Sequence, residues 1–273
     1  MGQIVLINRF VKSFNRDSIN ILGGEPSLNN DFFEIISHFI TQSKKVTVFT
    51  NGNISNYLID KLKFVSDDLQ FCVNRSHEDS SQELINFYKK IGYRVTLSVT
   101  IYEQNQSLNH IIEEINFYRL NKWYRMGIAL PNWPDKSNQY IKVEEYTVIS
   151  NQIIEFVRKG LNYGIRPSFD CGFPFCFFSE EQKMFLSQND IDFKSNCSII
   201  PDICHDNTII PCFPLKNITQ KVSNSSDWEE IRPLMENRLK QFKKFPLFQK
   251  CDTCVEINTG NCSGGCAAFR LLP

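Results

Sequence analysis

The chain has 273 residues, 42% of them hydrophobic and 22% charged, a balance that buries a substantial core and excludes a disordered chain. Its 30 Lys and Arg offset 30 Asp and Glu, so no global field draws it toward nucleic acid or an anionic bilayer. No apolar run approaches the about 18 residues of a spanning helix, and Met1 to Leu6 has no basic region ahead of a secretory core. With Leu at position 6 the myristoylation pattern is missed as well, so the expected location is cytoplasmic and no membrane is expected as a partner.

Ile4, Ile7, Val11 and Phe14 fall at helical spacing, and Ser18 to Leu22 then reads as a buried strand. A helix follows from Asn30 or Asp31, either of which can cap it, with Phe32, Ile35, Ile36, Phe39 and Ile40 on one face. Lys45 to Thr50 is the next strand, ended by Asn51-Gly52-Asn53. Further strands are expected at Leu69 to Val73, Arg94 to Ile101, Arg125 to Leu130 and Ile165 to Phe169. Helical patterns at Leu84 to Ile91, Leu108 to Leu120 and Val143 to Val157 separate them. Strands alternating with helices imply parallel pairing through right-handed crossovers, hence an α/β barrel or an open doubly wound sheet with ligands at the C-terminal strand ends. The pattern opens on a helix, so the first strand of a full barrel is expected to be missing and the strand at Ile19 to Leu22 to have an open edge.

The division expected is residues 1–170 as the α/β unit and 171–273 as a smaller module, in which the periodicity weakens except near Glu180 to Leu186 and Trp228 to Phe242. Nine of the 10 cysteines fall in that module: Cys171, Cys176, Cys197, Cys204, Cys212, Cys251, Cys254, Cys262 and Cys266. With so few regular apolar faces the module needs cross-links. Without an export signal, iron–sulfur ligation is the first expectation and zinc the second, ahead of disulfides.

Two short motifs stand out in the first unit. Gly23-Gly24-Glu25-Pro26 leaves one strand: the glycines permit positive φ and close approach of a ligand, Glu25 offers a carboxylate to an ammonium group, and Pro26 stiffens the turn. The plain alternative is a strand-to-helix turn with a solvated Glu. Thr50-Asn51-Gly52 leaves the next strand on the same rim, where its polar groups can meet a small ligand, although Asn-Gly is also an ordinary turn. In the second unit Cys251-Asp252-Thr253-Cys254 is a CxxC, followed by Cys262-Ser263-Gly264-Gly265-Cys266, whose glycines let backbone amides donate to sulfur. Upstream, Cys197 and Cys212 bracket Cys204 and Asn207, and Asn207 stands where a tight turn needs positive φ.

Together these segments resemble the radical S-adenosylmethionine superfamily, in particular members with a SPASM extension, over nearly the whole chain. The resemblance implies a partial (β/α) barrel, with Gly23, Gly24, Glu25 and Pro26 as the GGEP motif whose Glu binds the amino group of S-adenosylmethionine. Thr50 and Asn51 then lie near the same cofactor. It implies one or two auxiliary four-iron four-sulfur clusters. Cys197, Cys212, Cys266 and either Cys176 or Cys171 would ligate one, with Cys204 the competing fourth ligand, and Cys251, Cys254 and Cys262 would hold the second. Asn207 replaces the family's turn Gly, and seven residues replace five between Cys254 and Cys262.

The implied function is that of an iron–sulfur protein related to peptide- or protein-modifying maturases. The family's CxxxCxxC should precede GGEP, yet residues 1–22 hold no cysteine, so no catalytic residue is assigned; the usual seventh SPASM cysteine after Cys266 is also missing. Loss of the N-terminal segment is the expected common cause of the missing strand and the missing CxxxCxxC; the alternative is a natural relative that kept the scaffold and auxiliary sites as a binding or partner subunit, its open edge covered by another chain. The rivals to an enzyme are a non-catalytic iron–sulfur partner subunit and a zinc-stabilised binding module. His38, His77, His110 and His205 read as surface or satisfied histidines, Cys72 as a buried strand thiol, and Trp123, Trp133 and Trp228 as packing residues.

Overall fold

A computed structural model of the chain describes residues 17–132, 138–223, 227–243, 248 and 251–271. The expected helix at Ile4 to Phe14 and the side chain of Trp133 lie outside them. The chain forms two compact units, one of Arg16–Met126 and Asn151–Ser168, the other, among the described residues, drawn from Gly127–Ser150 and Phe169–Pro273.

The sheet is parallel and holds six strands in chain order: β1 (Ser18–Ile21), β2 (Lys45–Thr50), β3 (Leu69–Asn74), β4 (Val95–Ile101), β5 (Trp123–Ile128) and β6 (Arg166–Phe169). β1 and β6 stand at the two ends of that order, as in the partial barrel the sequence implied. Ser18 pairs with Lys45 and Ile21 with Val48, which fixes the register at the first edge. The crossovers carry α1 (Phe32–Thr41), α2 (Asn56–Leu62), α3 (Gln82–Ile91), α4 (Asn109–Tyr118) and α5 (Tyr146–Leu161).

Alternation explains which face is covered. Along β4, Val95, Leu97, Val99 and Ile101 are buried while Thr96, Ser98 and Thr100 are half-buried. Helix residues meet the buried face: Phe87 of α3 sets its ring edge-on to Phe71 of β3, with centroids 5.0 Å apart. Ile36, Phe39, Ile59, Leu62, Ile111 and Ile115 are likewise buried, and each such side chain contributes about 1.5–3 kcal/mol through area removed from water. Ser55 and Ser81 cap α2 and α3 by accepting the Leu58 and Leu84 N–H groups. Asp31 makes no such cap on α1; the Asn29 side chain accepts its N–H instead, so the pair builds the turn before the helix.

Two buried arginines tie this unit together. Arg94 donates to the Leu62 and Val65 carbonyls and to Asp67. Arg75 pairs with Glu114, both side chains being largely buried, while Tyr88 donates to the same carboxylate at 3.1 Å. No helix among the described residues is long and apolar enough to cross a membrane.

The second unit replaces the long sheet with small pieces. An antiparallel sheet of β7 (Asp202–Ile203), β8 (Thr208–Ile210) and β9 (Gln220–Lys221) accompanies α6 (Glu180–Gln188), α7 (Trp228–Lys243) and α8 (Val255–Asn258). Asn207 adopts φ 60° in the β7–β8 turn, the left-handed position read for it from the sequence. Two small apolar cores result. Ile209, Val222, Trp228, Ile231 and Met235 form one; Leu215, Ile218, Leu239, Cys266, Ala267 and Ala268 form the other, with Cys197 and Cys212 packed against it. Trp228 therefore packs as expected, whereas Trp123 is half exposed.

Candidate cofactor and sulfur sites

Adjacent parallel strands deliver their C-terminal loops to the same rim, and that topology brings Glu25 to Thr50 and Asn51. Glu25 is extended, with φ −129° and ψ 108°, and precedes a 3-10 turn at Pro26–Leu28 whose buried Pro26 needs no N–H partner. Its Oε1 accepts from the Ser27 N–H at 3.2 Å and the Ser27 hydroxyl at 2.7 Å. Its Oε2 accepts from the Asn51 N–H at 2.8 Å. The Thr50 hydroxyl lies 2.8 Å from Oε1 and 2.9 Å from Oε2, and its single proton serves one of them at a time. When Thr50 donates to Oε1, Oε2 keeps a lone pair for a cationic donor.

Glu25 is thus half-buried and held by three residues, unlike the solvated side chain of the plain reading. Thr50 is itself buried and accepts the Gly52 N–H at 3.0 Å, so its hydroxyl braces Glu25 and the following turn. The Asn51 side chain accepts the Asn53 N–H at 2.8 Å, leaving its backbone N–H for Glu25. The glycines behave differently from expectation: the positive φ belongs to Gly52 at 81°, and neither Gly23 nor Gly24 has one. A Cβ at Gly23 or Gly24 would meet no heavy atom within 4 Å, so nothing in the packing requires glycine at either position.

In the second unit, sulfur atoms from four separate segments come into electrostatic range. Burial pushes the Cys212 thiol well above its ordinary pKa, and charge on Cys266, Cys197 and Cys171 pushes it the same way. Cys266 rises to about 12, again through burial first; Cys197 and Cys171 add to the rise, while the Ala268 N–H donated to its Sγ opposes it. Charge on Cys171 and Cys197 thus acts on both Cys212 and Cys266, a repulsion that metal coordination, which deprotonates thiols outright, would relieve.

Backbone ties assemble this set. The Cys197 N–H donates to the Ser263 hydroxyl at 2.8 Å, the Ser263 N–H donates to the Ser195 carbonyl, and Asn196 donates to the Gly260 carbonyl. Gly264 and Gly265, at φ 74° and 86°, turn the chain so that the Gly264 N–H reaches the Cys262 sulfur at 3.3 Å; Phe175 donates to the same sulfur at 3.5 Å. Gly172, at φ 118°, lies against Leu130, and Phe169, Phe173, Phe177, Phe178 and Phe193 pack ring against ring beside the Cys171 to Cys176 loop.

The other cysteines have distinct places. Cys176 lies in a 3-10 turn, and Cys204 opens the β7–β8 turn, where its carbonyl accepts the Asn207 N–H. Cys251 and Cys262 are buried, and Cys254 precedes α8 after its N–H turns back to the Cys251 carbonyl at 3.2 Å. Cys72 is buried in β3. His110 is buried with Nε2 2.8 Å from the Arg75 carbonyl, His77 contacts the Tyr102 hydroxyl, His38 contacts Gln42, and His205 is exposed. Among the described residues no three His, Cys, Asp or Glu side chains are gathered closely enough to hold a single metal ion.

Two residues of this site escaped the sequence reading. Among the described residues the buried Tyr146 hydroxyl has no hydrogen-bond partner, and charge on Cys176 and Cys266 adds to the burial that raises its pKa. Arg270 donates Nη2 to the Ser263 and Gly264 carbonyls at 3.0 and 3.1 Å, while its buried Nε and Nη1 have no partner among the described residues. Burial lowers the Arg270 pKa, opposed by charge on Cys197, Cys251, Cys266 and Cys262. An arginine four residues beyond the last cysteine of a glycine-turned loop was the available signal.

No protein-family model matches the sequence, and no curated protein matches it. Solved structures do. The chain is similar to Streptococcus suis SuiB bound to S-adenosylmethionine, at 15% identity and TM-score 0.66 over 97% of this chain and 64% of SuiB. It is similar to SuiB bound to its precursor peptide SuiA, at 16% identity and TM-score 0.65 over 97% and 64%. It is also similar to anSMEcpe with bound AdoMet, at 16% identity and TM-score 0.66 over 96% and 78%. The chain spans slightly under two thirds of the length of SuiB. With its parallel six-stranded sheet and these likenesses, the chain has a radical S-adenosylmethionine-like fold.

Proposed function

We propose that this chain is an S-adenosylmethionine-binding iron–sulfur protein related to the peptide- or protein-modifying maturases of the radical S-adenosylmethionine group. The observation that carries the reading is the Glu25 carboxylate, braced by Thr50, Asn51 and Ser27 at the C-terminal rim of a parallel sheet, with a lone pair left on Oε2. An α-ammonium group matches that acceptor in charge and can give it one of its three N–H donors. The open space over Gly23 and Gly24 supports the approach of a ligand to their backbone. Because SuiB and anSMEcpe are seen with this cofactor, and SuiB with its precursor peptide, a peptide or protein is the proposed substrate class.

Cys171, Cys197, Cys212 and Cys266 would hold one auxiliary four-iron four-sulfur cluster. Cys251, Cys254 and Cys262 would supply ligands to a second. What supports the donor set is that Cys197, Cys212 and Cys266 share one apolar core, that charge on Cys171 reaches Cys212 and Cys266 from an exposed position, and that a backbone N–H is directed at sulfur. When bound, such a cluster supplies electron transfer or a substrate-binding iron. The chain's own residues do the rest: Glu25 orients the cofactor's amino group, Thr50 fixes the Glu25 rotamer, and the phenylalanine group holds the Cys171 to Cys176 loop in place. Radical generation is not assigned to residues 17–271.

Anaerobic isolation with iron, acid-labile sulfide and zinc analysis, followed by calorimetric titration of S-adenosylmethionine into wild type and Glu25→Gln, tests the reading. Iron with sulfide, and cofactor binding at least about ten-fold weaker in Glu25→Gln, are expected, since a charge-assisted hydrogen bond contributes about 1.5–3 kcal/mol. Stoichiometric zinc without sulfide refutes the cluster assignment; equal titrations, or no binding by wild type, refute the role of Glu25.

A further inference from the structure

Around the sulfur atoms of the second unit, three buried donor groups are left over. The Tyr146 hydroxyl has no hydrogen-bond partner among the described residues although its side chain is 5% exposed. Its ring is fixed against Phe177, with centroids 4.8 Å apart, next to Cys176 in the same 3-10 turn. The Arg270 guanidinium is anchored through Nη2 on the carbonyls of Ser263 and Gly264, inside the loop between Cys262 and Cys266. A Cβ at Gly264 would come within 2.8 Å of that nitrogen, so the loop is shaped to admit it. Its Nε and Nη1 remain buried and, among the described residues, unpaired.

Buried donors without acceptors are destabilising and rare, and they call for an acceptor. The two residues lie near the same atoms. Tyr146 is electrostatically coupled to Cys176 and Cys266 and, more weakly, to Glu144, which makes no hydrogen bond to its hydroxyl, and Arg270 to Cys197, Cys251, Cys266 and Cys262. No carboxylate is among the charges acting on Arg270. Sulfur is thus the acceptor chemistry on offer, and thiolates and inorganic sulfides of a cluster accept hydrogen bonds that shift its potential.

We infer that Tyr146 and Arg270 are positioning donors of the auxiliary cluster site, the Tyr146 O–H and the Arg270 Nε–H and Nη1–H hydrogen-bonding cluster or cysteinyl sulfur and raising the reduction potential there. The inference rests on the cluster reading proposed above. Arg270 has a second consequence: its charge lies in range of Cys197 and Cys266 of one set and Cys251 and Cys262 of the other, so it acts on both.

The sign follows from charge. A reduced cluster is one unit more negative, so a donor or cation beside it stabilises the reduced form more than the oxidised form, and removing either lowers the potential. Tyr146→Phe removes the hydroxyl alone and keeps the ring on Phe177; Arg270→Lys keeps the charge and removes the forked donors.

The experiment is anaerobic reconstitution of wild type, Tyr146→Phe and Arg270→Lys, with iron and sulfide content and an electron-paramagnetic-resonance-monitored redox titration of each. Wild-type iron and sulfide content with a Tyr146→Phe midpoint about ten-fold less favourable for reduction, about 59 mV lower for a one-electron couple, is the expected result. Unchanged midpoints in both variants at full cluster content overturn the inference and leave the cluster reading standing. A wild type without iron and sulfide overturns the two together. Metal-free protein supplies a separate readout: with no protein partner to lose, Tyr146→Phe should melt at or above the wild-type temperature. A clearly lower melt would show a protein acceptor for that hydroxyl and overturn its assignment to sulfur.

Discussion

Replacing Thr50 by Val is the most direct trial of the rim architecture. The substitution keeps shape and β-branching in the last position of β2, so strand preference and packing volume change little. It deletes one hydroxyl with two jobs: donating to Glu25 at 2.8–2.9 Å and accepting the Gly52 N–H at 3.0 Å. Losing a hydrogen bond to a half-buried carboxylate costs about 1.5 kcal/mol, the low end of the range for charged partners, and leaving a buried N–H unsatisfied costs about 1–3 kcal/mol. Because Glu25 keeps its Ser27 and Asn51 donors, the low-end figure applies to it, and the sum is about 2.5–4.5 kcal/mol, or roughly 5–18 °C in melting midpoint for a domain of this size. Circular-dichroism melts of the two proteins would measure it, with S-adenosylmethionine titrations beside them. A midpoint within about 1 °C of wild type together with unchanged affinity would refute the claim that Thr50 braces Glu25.

The remaining trials reach other parts of the molecule. Glu114→Ala strips the partner from buried Arg75 and should destabilise by about 3–5 kcal/mol in urea unfolding; a loss below about 1 kcal/mol would mean the arginine is solvated or paired elsewhere. Gly52→Ala places a Cβ 2.3 Å from the buried Leu84 at φ 81° and should cost about 1–3 kcal/mol, whereas Gly23→Ala should leave stability within about 0.5 kcal/mol and weaken S-adenosylmethionine binding. Should Gly23→Ala bind normally, a ligand does not approach the chain there. Cys212→Ser should lower iron and sulfide content after anaerobic reconstitution while Cys204→Ser leaves both near wild type; the reverse pattern would make Cys204 the ligand.

The sheet was legible because most of its strands are short runs rich in apolar and β-branched residues, separated by helical periodicity and turn residues. Lys45–Thr50 was placed to the residue, and the other five strands to within two residues at either end. Helix α2 escaped because only Ile59 and Leu62 of its seven residues are buried, too few for a period. Strands β7 to β9 have two or three residues each and depend on pairing across the turn at Asn207. At the rim, the meeting of GGEP with Thr50-Asn51 followed from parallel topology. The brace itself did not, because a hydroxyl shared between two carboxylate oxygens has no sequence signature. Tyr146 was invisible for a related reason, standing 30 residues before Cys176, and although Arg270 lies close to Cys266 in sequence, the role of each depends on which nearby donors the fold leaves unpaired.

The β1–β2 register has a consequence for how such a motif can be transplanted. Glu25 finds Thr50 only because Ile21 pairs with Val48; displacing that pairing by one residue would carry the carboxylate about 3.3 Å along the strand and exchange the two faces. Four residues grafted onto a foreign strand would therefore bring the letters without the grip. The unit of inheritance is a pair of neighbouring strand exits, and a search for distant kin should require both at once.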